Sequence, residues 1–286
     1  MKTSAWLGLF AVAAGCQAGR PPANVTVESR IQKPAPVVAA AALPGTVETK
    51  TEHDAIEGAL DDREKGHPEA SERALLAWLC PSAAYPPDLD TLRACPPAAS
   101  AGSGTGWALL GEIAFEAGAA DGNAGSRTLA RGEVAYGKAL AARPSRWPME
   151  VVLYKRAFTR YRMAHYDDAL TDFLAVVATA GAAGPQGGVD TTLRPEALEY
   201  AAICIAEEDW DDDGRPDSQR GFDRPSVKVR LSAGAPWVAD LMVRVTESLI
   251  DEVSPDARPA LQATAARFPG DPRLADLRKR AARLSP

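Results

Sequence analysis

Residues 149–181 read MEVVLYKRAFTRYRMAHYDDALTDFLAVVATAG, and their spacing decides the fold. Tyr154, Ala157 and Tyr161 recur three and four residues apart, which places them on one face of a first helix. Tyr166 follows a short turn, and Ala169 and Phe173 then share one face of a second helix. The stretch therefore predicts a helical hairpin. No alternating pattern of useful length competes with it; the nearest, over 227–231, is short.

Outward from this hairpin the same periodicity predicts helices over 69–80, 106–118, 127–142, 148–164, 166–179, 195–208, 236–253, 256–268 and 274–284. Gly, Pro and Asp separate them. Composition agrees, because the hydrophobic fraction of 46% owes much to alanine and aromatics make up only 6%. That balance suits close helix packing better than a β-sandwich, so the fold class is all-α. The net charge of -6, without a dense basic face, argues against nucleic acid as a partner.

The 149–181 hairpin resembles the tetratricopeptide repeat, in which small residues let paired helices approach and aromatics fill the gaps between units. Arg156 and Arg160 depart from the usual apolar choices, so that the unit either packs loosely or turns those charges outward. A weaker unit precedes it: Trp107, Leu110, Gly111 and Ala114 have the spacing of a first helix, and Tyr136, Ala139 and Pro144 that of a second. Leu198, Ala201, Ile205 and Trp210 form a third first helix, and a degenerate pair closes the series near residue 272. The alternative is a generic helical bundle of amphipathic hairpins. The resemblance implies a helical-hairpin solenoid that binds a protein or peptide on its inner face, with Arg156, Arg160 and Glu199 as candidate binding residues.

The other end of the argument is the start of the chain. Lys2, the apolar run from Ala5 to Ala14, and the small residues before Cys16 form an export signal. The pattern resembles the bacterial lipoprotein signal, which implies that Cys16 carries lipid and becomes the first mature residue. The resulting boundaries are a signal over 1–15, a lipidated Cys16 with a Pro/Ala-rich tether over 16–67, which includes a short helix over 53–63, and a helical repeat domain over 68–286. Gln17 stands where an Asp would favour inner-membrane retention, so the implied location is the periplasmic face of the bacterial outer membrane. In plan the chain is similar to helical-repeat lipoproteins that help assemble envelope machinery.

Export makes Cys80 and Cys95 a local disulfide pair, worth about 3 kcal/mol for a loop of that size, and leaves Cys204 as a small core residue. Asp209, Asp211, Asp213 and Gly214 match the start of a calcium loop, and Asp217 adds a further oxygen. Arg220 occupies the position of the final bidentate Glu. Two readings stand: a weak structural calcium site, or a solvated acidic turn.

Catalytic constellations are sparse. His53, His67 and His165 have no nucleophile at a paired spacing, and residues 102–106 lack the Lys of a phosphate loop and read as a linker. The leading expectation is a non-catalytic scaffold needing no cofactor; the contrasting one is an exported cell-wall hydrolase with Glu112 or Glu196 as its acid. Cys16→Ser is expected to abolish membrane association, measured by fractionation and lipid labelling.

Overall fold

The computed structural model describes residues 48–96, 99–120, 125–182 and 193–284; the signal and Cys16 lie outside them. Among the described residues there are twelve α-helices and no strand. None is long and apolar enough to cross a membrane. Contacts divide the chain into two compact units, the boundary falling between Val152 and Leu153.

In the first unit, α1 (Lys50–Glu64) opens on a reciprocal cap. The Thr49 hydroxyl accepts from the Glu52 N–H at 3.3 Å, and the Glu52 carboxylate accepts from the Thr49 N–H at 2.7 Å. Its face of Ile56, Ala59 and Leu60 is buried. Residues 50–64, which lie within the predicted tether, thus form a helix that contributes to the core of this unit. Arg146 reaches back to the segment before α1, holding Glu48 through Nε–Oε1 at 2.8 Å and Nη2–Oε2 at 2.7 Å.

α2 (Pro68–Leu79) starts with Pro at its first position, where the missing N–H costs nothing. α3 (Leu89–Ala94), a helix the periodicity did not reveal, is capped by Asp88, whose carboxylate accepts the Thr91 N–H at 2.7 Å. The Cys80–Cys95 disulfide joins the ends of α2 and α3.

The centre of this unit is the pair α4 (Ala101–Ala120) and α5 (Gly125–Ala142). The predicted linker 102–106 is the first part of α4. Glycine disfavours a helix by about 0.5–1 kcal/mol relative to alanine, but close packing reverses that preference here. A Cβ on Gly106 would lie 2.5 Å from the Trp78 ring, and one on Gly111 would lie 2.7 Å from Tyr136. Trp107, Tyr136 and Ala139 all lie in the resulting core.

The second unit contains most of α6 (Met149–Arg162), with α7 (Tyr166–Ala182), α8 (Leu193–Ala206), α9 (Pro225–Ser232), α10 (Val238–Asp251), α11 (Ala257–Arg267) and α12 (Leu274–Ala281). The 149–181 stretch forms the predicted hairpin, turning through Ala164 at φ 60°, with the His165 N–H donating to the Arg160 carbonyl at 2.9 Å. Ala157, Ala169 and Phe173 are fully buried in it. α7 packs on α8, α8 on α10, and α10 on α11 and α12. The short β-like run at 227–231 is instead helix α9, since Val227 and Leu231, four residues apart, bury the same face.

Close approach at Gly111 can be tested by adding a methyl. Gly111→Ala should lower stability by about 1–3 kcal/mol through overpacking. Gly58→Ala, on an exposed face with open space around it, should raise it by up to about 1 kcal/mol; urea unfolding midpoints compare the two.

Candidate functional site

α6 carries Tyr154, Phe158 and Tyr161 at i, i+4 and i+7, a single stripe along the helix. Tyr200 of α8 sits against all three rings, with centroid distances of 6.5, 5.0 and 5.5 Å. Phe173 of α7 lies beneath, stacked on Tyr200 at 5.6 Å and edge-on to Tyr154 at 5.7 Å. Tyr166 extends the cluster, 5.9 Å from Tyr161. These separations are those at which aromatic pairs add about 0.5–1.5 kcal/mol beyond their buried area. Phe173 is sealed in the core, whereas Tyr154, Phe158, Tyr161, Tyr166 and Tyr200 keep an edge in solvent.

The chain has six tyrosines, and four of them meet here. Tyr154 donates its hydroxyl to Glu196 at 2.7 Å. The hydroxyls of Tyr161, Tyr166 and Tyr200 find no partner among the described residues, yet none is closed off from water. Partial burial pushes the Tyr161 phenol up to about 12, with Glu207 and Glu252 acting in the same direction and Arg162 against it. Burial followed by the charges of Glu196 and Glu199 raises Tyr154 and Tyr200 likewise. The phenols are therefore neutral at physiological pH and serve as hydrogen-bonding groups.

Sequence periodicity identified Tyr154, Tyr161, Ala169 and Phe173 as packing residues but passed over Phe158 and Tyr200. The spacing of Glu196, Tyr200 and Ile203 along α8, at i, i+4 and i+7, with Glu207 four residues on and just past the helix end, carries the missed signal. What it lacks is any sign that this stripe lies beside that of α6.

Arg156 and Arg160, for which loose packing or an outward direction are the two expectations, instead turn inward onto Asp172. Arg156 holds it in a bidentate fork at 2.7 Å for each bond, and Arg160 adds a third contact at 2.8 Å. Asp172 is 3% exposed; a carboxylate that far from water needs such charge-assisted bonds. Both arginines thus brace the hairpin. Glu199 is exposed.

The acidic loop folds on its own backbone. Asp209 accepts from the N–H groups of Asp213 at 3.1 Å and Gly214 at 2.8 Å, with Asp212 and Gly214 at positive φ. Asp209, Asp211 and Asp217 bring carboxylate oxygens within 4.8 Å of one another, a spacing that a cation could bridge. Asp213 is not in that group; it accepts instead from the Arg215 N–H at 2.8 Å. Asp217 is paired with Arg224 at 2.9 Å, and that guanidinium, 4% exposed, also stacks on Trp210 at 4.1 Å and donates to the Ile205 carbonyl at 3.2 Å. Arg220, in the place of the bidentate Glu, binds Asp256 at 3.1 Å. Arginine closes the loop where a calcium site would use a carboxylate.

Glu112 is buried and accepts from the hydroxyl of fully buried Tyr136, while Glu196 is exposed. Two open depressions, one beside Arg93 and Lys138 and the other beside Trp210 and Arg224, include neither. Cys204 is fully buried, and burial pushes its thiol well above the ordinary value. No family model, curated protein or solved structure matches the chain.

Burial raises the Asp217 carboxyl, but the Arg224 bond and the Trp210 N–H outweigh it and hold the group below its ordinary value. Asp217→Asn should therefore destabilise the protein by about 3 kcal/mol near neutral pH by stranding the buried Arg224 charge. The deficit should shrink as pH falls below about 4, where wild-type Asp217 takes up its own proton. A rise in melting temperature at millimolar calcium, lost in Asp211→Asn, is the result the calcium reading requires.

Proposed function

We propose that this chain is a non-catalytic, helical-hairpin repeat scaffold of the bacterial envelope, lipid-anchored at Cys16 on the periplasmic face of the outer membrane, and that it holds a protein or peptide partner. The observation that carries the binding role is the face formed by α6 and α8: rings with solvent-open edges and three phenol hydroxyls without protein partners. Tyrosines combine a large apolar area with a polar tip, and their low side-chain entropy makes them common anchors at protein interfaces.

The contact order supports a repeat plan. In the second unit α8, a first helix, meets both α7 of the preceding hairpin and α10 of the following one; in the first unit α4 meets both α1 and α2. Within each unit one hairpin thereby buries a face on another, the kind of contact on which repeat stability rests. A structural divalent cation at Asp209, Asp211 and Asp217 is compatible with this role but is not required by it.

Photo-crosslinking in intact envelopes tests the reading. A photoreactive amino acid at position 200 should yield a discrete adduct, absent when the probe is moved to exposed position 262 on α11 and reduced by Phe158→Ala. Equal labelling from both positions, or none from 200, would sink the scaffold proposal.

A further inference from the structure

The charge around the aromatic face is one-sided. Glu196 and Glu199 lie near one end of α8 and Glu207 follows the other, where Glu252, the C-cap of α10, also acts on Tyr161. None of these four carboxylates forms an ion pair among the described residues. Glu207 is the most telling. It is partly buried, and its carboxylate accepts the N–H of its own neighbour, Glu208, at 3.2 Å. The nearby Arg224 is already committed to Asp217. Arg162 acts against these carboxylates at Tyr161 and Tyr200.

A partly desolvated carboxylate gains most from a partner that brings a positive charge and hydrogen-bond donors together. Aromatic faces attract the same group, arginine above all. Geometry then sets a spacing. Glu196, Tyr200 and Ile203 share one stripe of α8. Glu207, just past the helix end with its N–H donating to the Ile203 carbonyl at 3.0 Å, continues it. Eleven residues at about 1.5 Å each then separate Glu196 from Glu207 by about 16 Å. An extended peptide advances about 3.3 Å per residue, so the same span holds about five residues.

Resting on the scaffold reading above, we infer that the partner is an extended peptide segment bearing two basic side chains about five residues apart, one reaching Glu196 and the other Glu207, with the intervening residues on the rings of Phe158 and Tyr200. Aliphatic or proline residues fit between the two charges, since the ring faces offer packing.

The mature full-length protein can be titrated against fluorescent peptides of equal length, built on a Pro/Ala background. One carries two Arg five residues apart, and others place the two Arg side by side or replace them with Ser or Glu. The spaced-Arg peptide should bind on the order of tenfold more tightly than the Ser peptide, and the Glu peptide more weakly still. Glu207→Gln should remove most of that advantage, added salt should reduce it, and Tyr200→Phe should preserve it while Tyr200→Ala does not. Equal binding of Ser and Arg peptides would overturn the charge assignment while leaving the scaffold intact. So would crosslinks from position 200 without binding of any peptide, or displacement of the Arg peptide by a neutral glycan fragment. Failure of both the peptides and the crosslinks would remove the two proposals together.

Discussion

Close approach between helices is the constraint on which the rest depends. Aromatics are few, so the cores cannot be filled by bulk alone, and small residues must bring backbones near the rings that exist. Gly111 against Tyr136 does this in the first unit, and Ala157 and Ala169 beside Phe173 do it in the second. Each arrangement gives dense packing in exchange for tolerance: a single added methyl has nowhere to go. The same economy leaves Tyr154, Phe158 and Tyr200 at the surface edge of their cluster instead of at its centre, where they are available to another molecule.

Buried charge is handled in a consistent way. Asp172 takes two arginines, Asp217 takes Arg224, and Glu48 takes Arg146. In each case planar guanidinium donors satisfy a carboxylate that packing has partly removed from water. Against that pattern Glu207, partly buried beside the aromatic face, has no guanidinium partner of its own among the described residues.

Much of the fold is legible in the sequence, because three and four residue spacing survives in most helices and the 149–181 hairpin carries it strongly. The failures have physical causes. Glycine at 102, 104 and 106 signals a linker until a neighbour such as Trp78 demands the space that only glycine leaves. The run 227–231 looks like a strand because Val227, Val229 and Leu231 alternate with charged residues and two of them are β-branched. That preference is weak, and the burial of Val227 and Leu231 on one helical face overrides it. Arg156 and Arg160 look like outward charges because nothing local shows that Asp172, a turn and a half-helix later, will be buried. The aromatic site was half visible for a related reason: Tyr154 and Tyr161 announce a stripe, but only tertiary packing brings Tyr200 onto it.

The buried position of Cys204 has a consequence for how the chain matures. Cys80, Cys95 and Cys204 admit three pairings, and only one of them joins the two residues nearest in sequence. Once its helix is packed, Cys204 is both inaccessible and held as a thiol, so it cannot attack the bridge that the other two form. Packing of the second unit thus protects the covalent chemistry of the first. A nascent chain meeting an oxidant before α8 has docked would be open to mispairing, and the folded chain is not.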